Sequence, residues 1–184
     1  MKIEIGTNQI LKILYIISWI IFIGLCIEAG GIIFNAVLAQ VVPPEKSQLL
    51  WKEIDLSHLR QFDKGYFLTQ TVLISIVVVL KAIMFYLIVK ILHDKKLNLV
   101  QPFNKEVGKF IANLSYLALG ISLFSYWGAK NAMWISKQGV QMPSITDLRI
   151  GGADVWLFMC IVLYVIAQIF KKGIELQEEN ELTI

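Results

Sequence analysis

The chain contains 184 residues, of which 57% are hydrophobic and only 17% are charged, and its formal net charge is +3. A soluble domain of this length is usually roughly half apolar and about one quarter charged, so the composition predicts a single integral membrane domain over residues 1–184. The small and dispersed positive charge argues against direct nucleic-acid binding. The lipid bilayer is therefore the first partner that the sequence predicts.

The first predicted span covers residues 13–38 and is interrupted by Ser18, Glu28 and Asn35. It is longer than the apolar core of a cleavable signal peptide, which needs only about 7–15 residues. The sequence Val37-Leu38-Ala39 also resembles a signal-peptidase site, so a cleaved leader is the minor alternative for this segment.

The next two predicted spans cover residues 66–92 and 110–128. A polar connection opened by Pro43 and Pro44 precedes the second span, and a basic connection precedes the third. In that basic connection, Asn104 is a good helix N-cap and Glu106 would lie in the first turn, so we expect a helix to begin there.

Small residues recur at spacings of three or four along the third span. They form a stripe on one helical face, and small residues are what allow two helices to approach closely in lipid. The stripe consists of Ala112, Ser115, Ala118, Ser122 and Ser125, with Ala129 continuing it. It predicts a face that packs against another helix.

The fourth predicted span covers residues 154–170, and Lys171 and Lys172 mark its end. The remaining residues, 171–184, are rich in glutamate and cannot lie in lipid, so we expect an acidic, exposed cytoplasmic tail. The predicted fold is thus an all-α membrane protein, a four-transmembrane-helix bundle with short extracytoplasmic loops.

Four spans place both termini on the same side of the membrane. That side carries nine basic residues against seven in the opposite loops, and its lysines lie closer to the helix ends. Because positively charged residues near helix ends favour the cytoplasm, we expect both termini there. Abundant lysine and isoleucine suggest a bacterial chain, so the predicted location is the cell inner membrane, crossed several times. The nine residues are Lys2, Lys12, Lys90, Lys95, Lys96, Lys105, Lys109, Lys171 and Lys172.

Glu28 and Lys81 are the charged residues well inside predicted spans. Counted from the same membrane face at about 1.5 Å per residue, their depths are roughly 22 Å and 16 Å, so extended side chains could meet. An unpaired charge in lipid costs at least about 3 kcal/mol, which favours a pair. The pair has a functional interpretation, a substrate or ion site, and a structural one, which is favoured. The remaining alternative is that the two side chains do not meet, with Lys81 snorkelling and Glu28 lying near the outer surface.

No other constellation predicts chemistry. His58 and His93 stand alone in polar connections, Cys26 and Cys160 lie in apolar runs as small hydrophobic residues rather than as a disulfide, and no metalloprotease, hydrolase or nucleotide-binding motif is present. We therefore predict no catalytic residue, no cofactor, no metal site and no enzymatic activity.

Two stretches resemble a known family. QPFNKEVGKFIANLSYLALG and the terminal IFKKGIELQEENELTI are similar to segments of the bacterial membrane family termed domain of unknown function 2975. The resemblance implies a four-span protein whose gene often lies beside a small helix-turn-helix regulator. It implies no catalytic residues.

Together these features predict a non-enzymatic inner-membrane protein that senses or anchors, working with a small helix-turn-helix regulator at its cytoplasmic face. A homo-oligomer is compatible with this interpretation. The alternative is a small transporter or channel subunit that uses Glu28 and Lys81, and an intramembrane enzyme is the third choice.

Overall fold

The computed structural model describes residues 7–41, 54–94 and 104–181. These ranges contain five helices, α1 (Thr7–Val41), α2 (Ser57–Phe62), α3 (Lys64–His93), α4 (Lys105–Lys137) and α5 (Ala153–Glu181). All except α2 are long and apolar enough to cross a membrane. The expected all-α, four-span fold is therefore confirmed, and the chain is a multi-pass membrane protein.

Local sequence signals determine where two of the long helices begin. The side chain of Asp63 accepts a hydrogen bond from the backbone N–H of Tyr66 at 2.9 Å and caps α3. Asn104 caps α4 in the same way by accepting from Val107 N at 2.8 Å, and Glu106 lies in the first turn. These bonds satisfy N–H groups that have no partner within the helix, which confirms the predicted helix start at Asn104.

The long helices lie in a row in chain order. Extensive contacts join α1 to α3, α3 to α4, and α4 to α5. The two central helices, α3 and α4, each bury 28% of their most apolar 18-residue window, whereas the flanking helices α1 and α5 bury only 6%. The flanking helices therefore offer most of their apolar surface to lipid, where exposed apolar side chains carry no penalty.

The row has two distinct ends. Tyr15 near the start of α1 is hydrogen-bonded to His93 at the end of α3, and Lys105 at the start of α4 pairs with Glu178 near the end of α5. We term this the terminal end, because α1 begins and α5 ends there. The opposite end, which carries α2 and residues 138–152, is the loop end.

Most of the core lies toward the loop end. The largest fully buried side chains come from the first half of α3, from α4 at and beyond its midpoint, and from the two loop-end connections. The short helix α2 takes part, with Ser57, Leu59 and Arg60 buried rather than on the surface. These fully buried residues are Leu56, Leu59, Phe67, Gln70, Thr71, Ile74, Val77, Val78, Ile121, Ile135, Leu148 and Ile150.

The helices extend beyond the predicted spans. The predicted limits of 13–38, 66–92, 110–128 and 154–170 mark the apolar portions, but backbone hydrogen bonding continues into polar residues on either side. The largest difference is at the terminal end of α5. Residues 171–181, expected to form an exposed acidic tail, continue the helix and pair with α4 through Glu178.

Candidate functional site

Three charged residues from three parts of the chain meet near the middle of the long helices, where residues 138–152 fold back from the loop end. The Nε atom of Arg149 lies 2.9 Å from Oε1 of Glu28 on α1, and Nζ of Lys81 on α3 donates to the backbone carbonyl of Arg149 at 2.8 Å. The same ammonium group lies 5.9 Å from the ring centroid of Trp156 on α5. We refer to Glu28, Lys81 and Arg149 as the charge cluster. It connects α1, α3 and the segment that leads into α5.

A helical turn in the loop places Arg149 at this point. The backbone N–H of Ile150 bonds to the carbonyl of Ile145, and that of Arg149 bonds to the carbonyl of Thr146. This pair of bonds is the Schellman pattern that ends a helical turn, and its left-handed position usually holds glycine. Here the position holds Arg149, with φ 60°. The left-handed conformation costs an L-residue about 1–2 kcal/mol, so the surrounding contacts must offset it.

The side chains on either side of Arg149 fasten the turn to the helices. Leu148 and Ile150 are fully buried. A Cβ atom at Gly128 of α4 would lie 3.1 Å from Cδ1 of Ile150, so the missing side chain at Gly128 makes room for that contact. At the start of the turn, the Ser144 hydroxyl donates to Asp147 and accepts from its backbone N–H. Arg149 is thus presented by a well-packed turn, although its own side chain is 53% exposed.

The predicted pair of Glu28 and Lys81 is linked through Arg149. Among the described residues, no ion pair joins Glu28 to Lys81 directly; the carboxylate meets the guanidinium and the ammonium group meets a carbonyl. Sequence reasoning missed Arg149 because it lies in a polar loop with no periodic pattern. A weak signal was available, since Arg60 and Arg149 are the two arginines among seventeen basic residues and both lie in loop-end connections.

The small-residue stripe of α4 lies against α5. Ser115, Ala118, Ser122 and Ser125 are buried, and Ala112 is half-buried. Ser115 Oγ donates to the carbonyl of Cys160 at 3.0 Å, and Ser122 Oγ donates to that of Ala153 at 2.7 Å. Ser122 therefore bonds the first residue of α5, four positions after Arg149.

A polar contact that the sequence analysis did not single out joins α3 and α4. Gln70 is fully buried, its Nε2 donates to the carbonyl of Gly128, and its Oε1 accepts from Asn131 at 2.8 Å. Because an unsatisfied buried amide is costly, this contact fixes the register of α3 against α4 beside the turn that carries Arg149.

The remaining candidates show no metal-binding arrangement. His93 bonds to Tyr15, His58 is exposed, and both cysteines are free. Within residues 7–41, 54–94 and 104–181, no group of three or more His, Cys, Asp or Glu side chains is placed to hold a metal ion.

The charge cluster is better suited to holding a loop than to binding a solute. The carboxylate of Glu28 and the ammonium of Lys81 already bond to Arg149, so a solute would have to displace those bonds. A charge held toward an apolar surface is costly to leave without a partner. A substitution at Glu28 or at Lys81 therefore removes a contact of Arg149, and a change at Arg149 affects the contacts of both.

Comparison with known proteins places the chain in a family. A model for proteins of unknown function, DUF2975, matches residues 41–184, which is more than half of the chain. The match includes Lys81 and Arg149, whereas Glu28 precedes it. No curated protein and no solved structure matches the chain. By this match over the last three of its four spans, the chain belongs to the DUF2975 family, as the resemblance of its third and fourth spans led us to expect.

Proposed function

We propose that this membrane protein is a sensor in which the loop of residues 138–152 and α5 respond together to a stimulus at the loop end. The observation that carries the proposal is the conformation of Arg149. Its left-handed backbone is unfavourable for a residue with a side chain, yet its guanidinium pairs with Glu28 and its carbonyl accepts from Lys81. Unfavourable backbone conformations maintained by neighbouring contacts are typical of switching segments.

The position of Arg149 in the chain supports the proposal that a displacement of the loop is passed along α5 to the terminal end. Ala153 begins α5 only four residues after Arg149, and the helix then runs without interruption to Glu181 at the terminal end. A helix this long moves largely as one body. A stimulus that separates Arg149 from Glu28 would therefore shift the start of α5, and the displacement would reach the opposite end of the row.

We further propose that the terminal end faces the cytoplasm and is the output of the sensor. Lysines cluster near the helix ends there, including Lys12, Lys90, Lys109 and Lys171, as the positive-inside rule requires of a cytoplasmic face. Reporter fusions after Asp94 and after Gln138, which follow α3 and α4, should give cytoplasmic and external signals respectively. The opposite pair of signals would reverse the proposed orientation.

The last turns of α5 are the surface proposed for a small helix-turn-helix regulator. Leu176, Glu178 and Glu179 are exposed on this part of the helix and combine an apolar side chain with acidic ones. A regulator encoded beside this gene should co-purify with the wild-type chain and less well with Leu176→Glu. Lys137→Glu, a charge change at the loop end, should leave co-purification unchanged. Equal recovery with all three chains would remove this surface from the proposal.

The transporter alternative rests on the same residues but has less support. A transport site must release its ligand, whereas the groups of the charge cluster bond to one another. Ion flux into liposomes that contain the purified chain would favour transport if it were abolished by Glu28→Gln and Lys81→Met. We expect no such flux.

Hydrogen–deuterium exchange in nanodiscs tests the sensor proposal. Glu28→Gln removes the partner of Arg149, so amide exchange should increase in residues 138–152 and also in residues 171–181 at the far end of α5. Lys12→Gln, a charge change on the same helix at the terminal end, should leave the loop unchanged. An increase in amide exchange confined to residues 138–152 would show that the contact stabilises the loop locally and that no conformational change reaches the far end of α5.

A further inference from the structure

A cavity at the terminal end lies between the first turns of α4 and the last turns of α5. Its volume is about 350 Å³, and its lining residues include no member of the charge cluster. Lys105, Lys109 and Lys171 supply cationic groups to its wall, and Gly108, Ala112 and Ala167 supply an apolar one. The cavity therefore combines ammonium groups with a surface of small apolar residues.

The lysines differ in how far their charges are already compensated. Lys105 pairs with Glu178 at 2.6 Å, and Glu175, which also lines the cavity, bonds to Lys172 at 3.3 Å. Lys109 and Lys171 form no ion pair or hydrogen bond with the rest of the described chain through their ammonium groups. Two cationic groups thus remain available to a ligand, and the acidic residues of the wall are engaged by other lysines.

The level of the cavity along the membrane normal indicates the kind of ligand. The apolar portion of α5 ends at Lys171, so this residue lies where the hydrocarbon of a bilayer gives way to headgroups. Ala112 and Ala167 lie one turn further toward the apolar side. Basic pockets between membrane helices at this level bind anionic lipid headgroups, because phosphate pairs with lysine while the acyl chain remains in apolar surroundings.

We propose that this cavity binds the phosphodiester of an anionic glycerophospholipid between Lys109 and Lys171, with the upper part of an acyl chain against Ala112 and Ala167. The lipid would bridge the start of α4 and the end of α5, next to the Lys105–Glu178 pair. A soluble phosphate could satisfy the lysines but would leave the apolar wall unfilled. The proposal therefore commits to a lipid from the surrounding leaflet.

Native mass spectrometry in detergent, with added phosphatidylglycerol or phosphatidylcholine of matched acyl chains, tests the site. The wild-type chain should retain phosphatidylglycerol preferentially. The double variant Lys109→Gln/Lys171→Gln should bind it about tenfold more weakly, since each lysine near a headgroup contributes substantially to binding. The matched control Lys12→Gln/Lys90→Gln removes two lysines from the same end of the row but outside the cavity, and it should bind as the wild type does.

One further variant and one competition experiment distinguish a lipid from a soluble phosphate as the ligand. Ala112→Leu fills the cavity without changing its charge and should also weaken phosphatidylglycerol binding, which tests the site if the lysine variant does not fold. Glycerol phosphate, which carries the headgroup charge without acyl chains, should not compete at millimolar concentration. Equal loss in the control variant, no preference for phosphatidylglycerol in the wild type, or displacement by glycerol phosphate would each overturn the proposal.

Discussion

At the loop end, α3 and α4 bury side chains such as Phe67 and Ile135 beneath a loop that folds back on them, whereas at the terminal end α4 and α5 leave an open cavity beside Lys109 and Lys171. Helix α4, which takes part in both, therefore has a densely packed half toward the loop end and a more open half toward the terminal end. Lipid can cover apolar side chains but offers no hydrogen-bond partners to a polar backbone. A loop that folds back onto the helices must therefore be packed against protein, and its buried side chains add to the core at this end. We therefore expect truncation of a buried side chain at the loop end to cost more stability than truncation of an exposed one at the terminal end.

The largest expected effect is the loss of stability on truncating a buried side chain at the loop end. Leu148 is 0% exposed, and Leu148→Ala should lower the free energy of unfolding by about 2–4 kcal/mol, because it leaves a cavity beneath the loop. Leu176→Ala, at a side chain 50% exposed on the terminal end of α5, should change it by less than about 0.5 kcal/mol. Unfolding of both variants in the same detergent measures the difference. Equal losses would remove the distinction between the two halves.

The next largest loss of stability is expected between the two halves, where the small-residue stripe of α4 packs against the start of α5. Ser122→Leu should destabilise the chain by about 1–3 kcal/mol, because it enlarges a buried side chain and removes the bond to the carbonyl of Ala153. The neighbouring Leu123 is exposed, so Leu123→Phe should have little effect. Thermal unfolding of the two variants checks the claim, and similar melting temperatures would contradict the packing of this face.

The charge cluster should show a smaller but specific coupling. In a double-mutant cycle, Glu28→Gln and Arg149→Gln should couple by about 1 kcal/mol, a value limited by the partial exposure of both side chains. Glu28→Gln and Lys81→Met should couple as well, since removing one charge strands the other, but less strongly because Arg149 stands between them. Additive losses in both cycles would show that the three residues are energetically independent.

The smallest expected effect is the difference in stability between two variants that separate the backbone conformation of Arg149 from its side-chain contacts. Both Arg149→Gly and Arg149→Ala lose the pair with Glu28, but glycine tolerates the left-handed conformation. The left-handed penalty of about 1–2 kcal/mol for alanine is partly offset by the greater chain entropy that glycine loses, so the glycine variant should be more stable by about 0.5 kcal/mol. If the alanine variant is at least as stable, the strain assigned to this position is absent.

The apolar runs were sufficient to predict four long helices, because crossing a bilayer demands about twenty consecutive apolar residues in a self-satisfied backbone. They did not predict the helix ends, since backbone bonding continues into polar segments such as residues 171–181. The fold-back of residues 138–152 was not predictable in the same way. Ser144 and Asp147 signal a local turn, but the contact of Ile150 with Gly128 depends on tertiary packing.

The candidate site was predictable only in part for the same reason. Glu28 and Lys81 were conspicuous because charges are rare in apolar helices, and depth counting placed their side chains within reach of each other. Arg149, to which both of them bond, comes from a loop whose path the local sequence does not determine. The cavity of the terminal end likewise requires the register of α4 against α5, which depends on tertiary contacts such as those of Ser115 and Ser122 with α5.

If the charge cluster near the middle of the helices controls the position of α5 at the terminal end, as we propose, breaking the cluster should move that end of α5, and an electron–electron distance measurement tests this directly. Spin labels placed at Lys90→Cys on α3 and Leu176→Cys on α5, in a background with Cys26→Ala and Cys160→Ala, report the separation of the two helices in nanodiscs. Glu28→Gln should shift or broaden this distance distribution, whereas Lys12→Gln should leave it unchanged. A distribution identical with and without Glu28→Gln would show that the charge cluster does not control the position of α5.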